Sequence, residues 1–395
     1  MVFFLYICNV MAEDRHYKIV YCTPALYMAG GVERVLTLKA NYFAEHYGYD
    51  ITIILTEGKD KPFFYPLSDK IKVINLDINF EELWTCSFIK KVFVYMNKQR
   101  LFKKLLTSEL IRIRPDITIS LLRREINFIT SIQDGSKKIG ELHINRAHYR
   151  NFEGNDASFI KTLFSKVWMN NLIGKLQRLE SLVVLTKKDK DSWLELNNVQ
   201  VIPDPLSFHP SSISPLSNKR VIAVGRYSHE KGYDLLLSAW RMVSDTCKDW
   251  KLEIFGDGDH SSLDVLLDQL QIDKPRCVLH GRTSDVEKEY LDSSIFVCSS
   301  RFEGFGMVIL EAMACGLPVI SFDCPWGPGS IISDGVDGYL VNNGDVKSLA
   351  EKIIFLIYSE EEKVRVAKNA LKKSSQYSID TIALQWKNLF DTLME

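Results

Sequence analysis

The feature that most limits what this chain can fold into is a double series of short Val/Ile-rich runs, interrupted once by a proline-rich stretch. In the first half the runs are KIVYC (18–22), ITIILT (51–56), IKVINL (71–76), DITISL (116–121), KIGELHI (138–144) and LVVLT (182–186). Several are apolar throughout rather than alternating, as expected of parallel strands covered on both faces. Segments long enough for crossover helices lie between them. Residues 32–46, with Val32, Val35, Leu36, Leu38 and Phe43, predict one such helix. Residues 201–220 then hold Pro203, Pro205, Pro210 and Pro215 among serines, which marks a linker. A second series follows: VIAVG (221–225), LEIFG (252–256), CVLHG (277–281), IFVCSS (295–300) and VISFD (319–323). The expectation is α/β, with two Rossmann-like domains and a ligand cleft between them, because open parallel sheets bind ligands at the carboxyl ends of their strands.

Length and composition agree. The chain has 395 residues, 46% hydrophobic and 25% charged, enough for two soluble cores. Its net charge of −1 hides a split: residues 1–200 carry 29 Lys/Arg against 22 Asp/Glu, and residues 201–395 carry 20 against 28. A basic half and an acidic half predict different partners. The eight cysteines (Cys8, Cys22, Cys86, Cys247, Cys277, Cys298, Cys315 and Cys324) show no metal-ligand or CxxC spacing, which favours a reducing cytoplasm over a disulfide framework. The opening MVFFLYICNV lacks a basic flank and a cleavage site and is too short to span a bilayer. It is read either as an upstream start-codon artefact or as a membrane-dipping anchor.

Two motifs carry chemistry. Gly225-Arg226-Tyr227-Ser228-His229-Glu230-Lys231-Gly232 follows a strand directly and precedes a helical run from Tyr233. Two cations beside a helix start suit a diphosphate leaving group. The other reading is two solvated loop cations. Glu303-Gly304-Phe305-Gly306-Met307-Val308-Ile309-Leu310-Glu311 sets two carboxylates eight residues apart, with glycines for a close backbone approach and a helix over 308–315 closed by Gly316. Glu311 sits in an apolar run and is hard to read as a solvated face residue. Asp257-Gly258-Asp259 offers a superficial metal motif, read here as a turn after a strand.

Together, GRYSHEKG and, about seventy residues on, SRFEGFGMVILEAMACGLPVI resemble glycosyltransferase family 4, the retaining enzymes of the GT-B fold. Gly30-Gly31-Val32-Glu33-Arg34 adds to the likeness, which is strong over 217–345 and weaker over 17–200. The phrase Phe322-Asp323-Cys324-Pro325-Trp326-Gly327-Pro328 resembles members that build bacterial surface polysaccharides and lipid-linked oligosaccharides, often from UDP-hexoses or UDP-N-acetylhexosamines. The resemblance implies that Arg226 and Lys231 hold the diphosphate, Glu311 takes the ribose hydroxyls and Glu303 holds the donor sugar. Gly225, and the backbone at Gly306, Met307 and Val308, would line the donor. Gly30 and Gly31 would close over the phosphates, and Arg282 would face the base. His143 would stand near the donor sugar, with His148 as its competitor. It implies no metal or other cofactor, and an acceptor such as an undecaprenyl-diphosphate-linked glycan, with no nucleic acid.

The expected domains are an extension (1–16), an acceptor domain (17–204), a linker (205–219), a nucleotide-sugar domain (220–375) and a C-terminal helix returning to the first domain (376–395). Residues 88–114 interleave Lys90, Lys91, Lys98, Arg100, Lys103 and Lys104 with Phe88, Val92, Phe93, Met96, Leu101 and Phe102. Such a helix either lies on an anionic membrane, giving a cytoplasmic protein held peripherally on the inner membrane, or is a crossover helix with surface lysines. Residues 159–179 read similarly. The alternatives are a nucleotide-sugar epimerase and a non-catalytic sugar-binding subunit. A dinucleotide-binding dehydrogenase is disfavoured, since no G-x-G-x-x-G follows the first strand.

Overall fold

The computed structural model describes residues 15–85, 87–146, 149 and 159–395. Cys86, His148 and most of the N-terminal extension lie outside the described residues. All eleven expected strands form, and two more join them. The first sheet is β1 (Lys18–Cys22), β2 (Asp50–Leu55), β3 (Lys72–Asn75), β4 (Ile117–Ser120), β5 (Lys137–Leu142), β6 (Ser181–Val184) and β7 (Val199–Val201). The second is β8 (Arg220–Val224), β9 (Lys251–Phe255), β10 (Cys277–His280), β11 (Ile295–Cys298), β12 (Val319–Asp323) and β13 (Tyr339–Asn342). Every pairing is parallel, in the orders β3-β2-β1-β4-β5-β6-β7 and β10-β9-β8-β11-β12-β13. The missed strands, β7 and β13, are the short edges; β7 falls at the start of the proline-rich stretch.

The helices used below are α1 (Gly31–His46), α2 (Phe88–Ile113), α3 (Tyr233–Thr246), α4 (Met307–Ala314), α5 (Pro328–Ile331) and α6 (Ile379–Met394). The chain divides into two compact units: residues 1–184, 190–202 and 383–395, and residues 185–189 and 203–382. Most of α6 thus belongs to the first unit, where Phe390 meets Phe43 and Tyr17 edge-on at 5.7 and 6.2 Å.

Residues 205–219, expected to be a linker, are packed into the second unit. Leu206 N–H donates to Tyr377 O at 2.7 Å and Ser214 N–H to Cys315 O at 2.8 Å, while Leu206 and Leu216 are buried. The prolines remove donors and stiffen the path, but the leucines between them supply apolar anchors, and those decide where it lies.

The first unit buries an ion pair. Lys39, from the middle of α1, donates to Glu141 on β5; both side chains are 1% exposed, and the Lys39 Nζ lies 4.4 Å from the ring centre of Trp386 on α6. Burial alone would raise the Glu141 carboxyl, but Lys39, and then His143, overcome it and hold the group down at about 2. Its folded value lies below its unfolded one. Its stabilisation is therefore complete above about pH 4.3 and is lost as pH falls towards 2. Lys39→Met should cost about 3–5 kcal/mol, because it strands a buried charge. Lys39→Met with Glu141→Leu should recover most of that loss and show a smaller drop in stability between pH 6 and pH 3 than the wild type. Urea denaturation at the two pH values measures both.

Candidate active site

In each sheet the strand order reverses beside the first strand, between β1 and β4 and between β8 and β11. Loops leaving the carboxyl ends there diverge to opposite sides and open a crevice. In the second unit the two chemical motifs are the loops that leave β8 and β11. The sheet therefore brings together residues about seventy positions apart.

Lys231 and Glu303 meet across this crevice. The Lys231 ammonium donates to Glu303 Oε1 at 2.6 Å, and Ser300 Oγ–H donates to the same oxygen at 2.6 Å. Glu303 is 8% exposed. Burial works against the Lys231 charge, but the Glu303 carboxylate outweighs it and holds the ammonium above the usual lysine value. Arg226 is exposed and near enough for its charge to oppose that of Lys231. A dianionic diphosphate would relieve this repulsion.

Backbone geometry explains the glycines. Gly232 has φ +61°, and a Cβ there would lie 2.2 Å from Ser299 O at the end of β11. Only a residue without a side chain lets the β8 loop come this close to β11 and then start α3. Gly306, at φ +101°, is the left-handed residue before α4, which begins at Met307 and has Val308 in its first turn. Gly225 accepts a hydrogen bond at its carbonyl from Tyr233 Oη–H at 3.0 Å.

Glu311, one turn into α4, is 3% exposed and already engaged. Ser207 Oγ–H donates to its Oε1 at 2.5 Å, and Tyr290 Oη–H to its Oε2 at 3.3 Å. These two hydroxyls occupy the oxygens that the resemblance reserves for ribose. Ser207, Tyr290 and Ser300 were missed by sequence reasoning. No spacing flags a serine or a tyrosine as the partner of a distant carboxylate. Arg282 is exposed on the loop after β10. Asp257 and Asp259 serve their turn: Asp257 Oδ1 accepts from Gly258 N–H at 3.0 Å, and Asp259 accepts from Ser261 N–H at 2.9 Å and Ser261 Oγ–H at 3.0 Å.

In the first unit, His143 follows β5 with its Nε2 3.1 Å from Glu141 Oε1. Gly30 and Gly31 form the entry to α1. A Cβ on Gly30 would strike the Glu33 carboxylate, so that anionic side chain already covers the helix N-terminus. Lys90, Lys91, Lys103 and Lys104 are exposed on α2.

Residues 207–373 match the family described as glycosyl transferases group 1. The match lies within the second unit, which is of the glycosyl transferases group 1 type. This chain is 29% identical over 368 residues, 91% of its length and 96% of the relative, to an uncharacterized glycosyltransferase of Haemophilus influenzae. It is 26% identical over 265 residues, 65% of this chain and 51% of the relative, to the poly(ribitol-phosphate) alpha-N-acetylglucosaminyltransferase of Staphylococcus aureus. Among solved structures, HepE of Anabaena in complex with UDP and glucose aligns at a TM-score of 0.71 and 19% identity, covering 95% of this chain and 100% of that one. That likeness is one of fold, and the fold is GT-B. Lys231→Ala should cut glycosyl-transfer turnover roughly 10²–10³-fold while the circular-dichroism spectrum stays native; Asp257→Ala, a turn residue, should leave turnover near the wild-type rate.

Proposed function

We propose that this protein is a glycosyltransferase that moves a hexose or N-acetylhexosamine from a UDP-sugar to a glycan acceptor, with retention of configuration and without a metal ion. The observation that carries the reading is the Lys231–Glu303 pair beside Arg226 at the strand-order reversal. Two cations there can hold a diphosphate, and a buried carboxylate 2.6 Å from one of them can accept hydroxyls of the attached sugar. In the reaction the bond from sugar C1 to the phosphate oxygen breaks and the acceptor oxygen bonds to C1. The acceptor's hydroxyl proton passes to the leaving phosphate on the same face, and UDP departs. Arg226 and Lys231 stabilise the charge as it develops, and Glu311 holds the ribose. The engagement of Asp257 and Asp259 within their own turn supports a site that relies on its own cations.

We also infer a lipid-linked, anionic acceptor met at the cytoplasmic face of a membrane. Among the described residues no helix is long and apolar enough to cross a bilayer. Helix α2 is a crossover helix whose Phe102, Leu106 and Leu110 lie in the first unit's core. Outside that stripe Phe93, 69% exposed, and Val92, Met96, Leu101 and Ile111 are exposed, among exposed Lys90, Arg100, Lys103 and Lys104. A crossover role explains the buried stripe and leaves five exposed large apolar residues unexplained; insertion at a headgroup boundary explains them. Each basic residue near anionic lipid contributes about 1 kcal/mol, so the attachment is reversible and sensitive to salt.

Two outcomes test these readings. UDP release from a UDP-hexose in the presence of a lipid-linked glycan should persist in excess EDTA; loss in EDTA with recovery on adding Mn²⁺ would overturn the metal-free mechanism. The protein should float with vesicles rich in phosphatidylglycerol at low salt, and Lys90, Lys91, Lys103 and Lys104 changed to Gln should leave it in solution. Wild-type protein that stays in solution under those conditions would remove the membrane from the reading.

A further inference from the structure

Trp326 holds a backbone conformation that its side chain disfavours. Its φ is +84°, in the left-handed region, where a bulky residue pays a steric penalty that glycine and asparagine largely escape. The other described non-glycine residues with positive φ have local reasons. Asp77 and Asn79 are small and polar, Arg114 closes α2, Gln271 follows the helix Ser261–Gln269, and Leu122 and Leu216 are buried in the core. Trp326 is aromatic and only half-buried, so core packing does not account for it.

The surroundings hold the strain in place and fix where it sits. An isolated parallel bridge pairs the backbone of Trp326 with that of Glu303. Gly327 packs so closely that a Cβ there would lie 2.7 Å from Glu303 Cβ and 2.8 Å from Phe305 O. Ser330 Oγ–H donates to Trp326 O at 3.0 Å, and α5 starts two residues after the tryptophan. Lys188 Nζ lies 5.9 Å from the ring centre, within cation–π reach, and steadies the indole. Strain kept by so many contacts beside a buried carboxylate is a mark of a ligand clamp.

We propose that Trp326 is a sugar-recognition residue: its indole forms the apolar wall against which the donor pyranose packs while Glu303 accepts that sugar's hydroxyls. The inference rests on the nucleotide-sugar reading of the site. A pyranose has a face of C–H bonds, which suits the electron-rich face of an indole, and a rim of hydroxyls, which suits a carboxylate. The pairing of Trp326 with Glu303 supplies both surfaces side by side. A nucleoside diphosphate without its sugar would not use the wall.

The test compares affinity for UDP with affinity for the UDP-sugar that the wild type turns over, by titration calorimetry, in wild type, Trp326→Asn and Trp326→Phe. Asn tolerates the left-handed backbone, so Trp326→Asn should keep the wild-type melting temperature or raise it. It should bind UDP as the wild type does and the UDP-sugar about tenfold more weakly. Trp326→Phe should recover most of that loss. An Asn variant that weakens UDP and UDP-sugar alike, weakens neither, or loses its melting temperature along with both would show a structural residue and overturn the proposal. Wild-type protein that binds neither UDP nor any UDP-hexose would instead overturn the nucleotide-sugar reading itself.

Discussion

The second unit depends on the reversal of strand order between β8 and β11. Parallel strands need crossovers, and a sheet that grows first one way and then the other leaves two neighbouring strands whose following loops part company. One of these loops carries Arg226 and Lys231, and the other carries Glu303. Neither motif is a site alone: two cations on a loop are ordinarily solvated, and one glutamate on a loop is too. The sheet puts them 2.6 Å apart and takes the carboxylate out of water, which makes their pairing strong enough to shift Lys231 upwards. Gly232 is the steric condition for this arrangement, because the chain must pass the end of β11 closer than a side chain allows.

In the first unit a buried ion pair does comparable work. Lys39 and Glu141 tie the middle of α1 to β5, with Trp386 of α6 over the ammonium. The entry of α1 is the Gly30-Gly31 turn, and His143 stands two residues beyond Glu141. The pair therefore fixes, through rigid elements, the spacing between a glycine turn and a histidine that sequence reasoning had picked out separately. A hydrophobic pair of similar volume would hold the elements as firmly. What the ions add is an orienting carboxylate 3.1 Å from the imidazole.

Much of this was legible in the sequence because it is local. Val/Ile density gave each of the eleven strands, and glycine after a helical run gave the end of α4 at Gly316. The motif residues Lys231 and Glu303 were legible as a set only through the ordered pair of motifs, since nothing in either run alone sets the distance between them. The segment 205–219 misled because proline and serine speak of backbone stiffness and solubility, whereas Leu206, Ser214 and Leu216 decide where the segment packs. Ser207, Ser300 and Tyr290 were illegible for a related reason. A hydroxyl becomes the partner of a buried carboxylate through tertiary geometry, and no periodicity announces it. Helix α2 lay between these cases: its pattern predicted both a core face and a charged face, and only the folded chain separates Phe102, Leu106 and Leu110 within from Phe93, Met96 and Ile111 without.

The second unit shows a division of labour among its carboxylates. Glu303 is paired with a cation, Lys231, and also accepts from Ser300 Oγ–H. Glu311 is instead satisfied by two neutral hydroxyls, Ser207 and Tyr290, donors of the same chemical kind as the hydroxyls of a ribose. With a hydroxyl donor on each oxygen, this buried carboxylate is hydrogen-bonded without a cation. Its partners are hydroxyls rather than cations. The two acids, eight residues apart in sequence, thereby differ in what they can bind through their partners and not through their own chemistry.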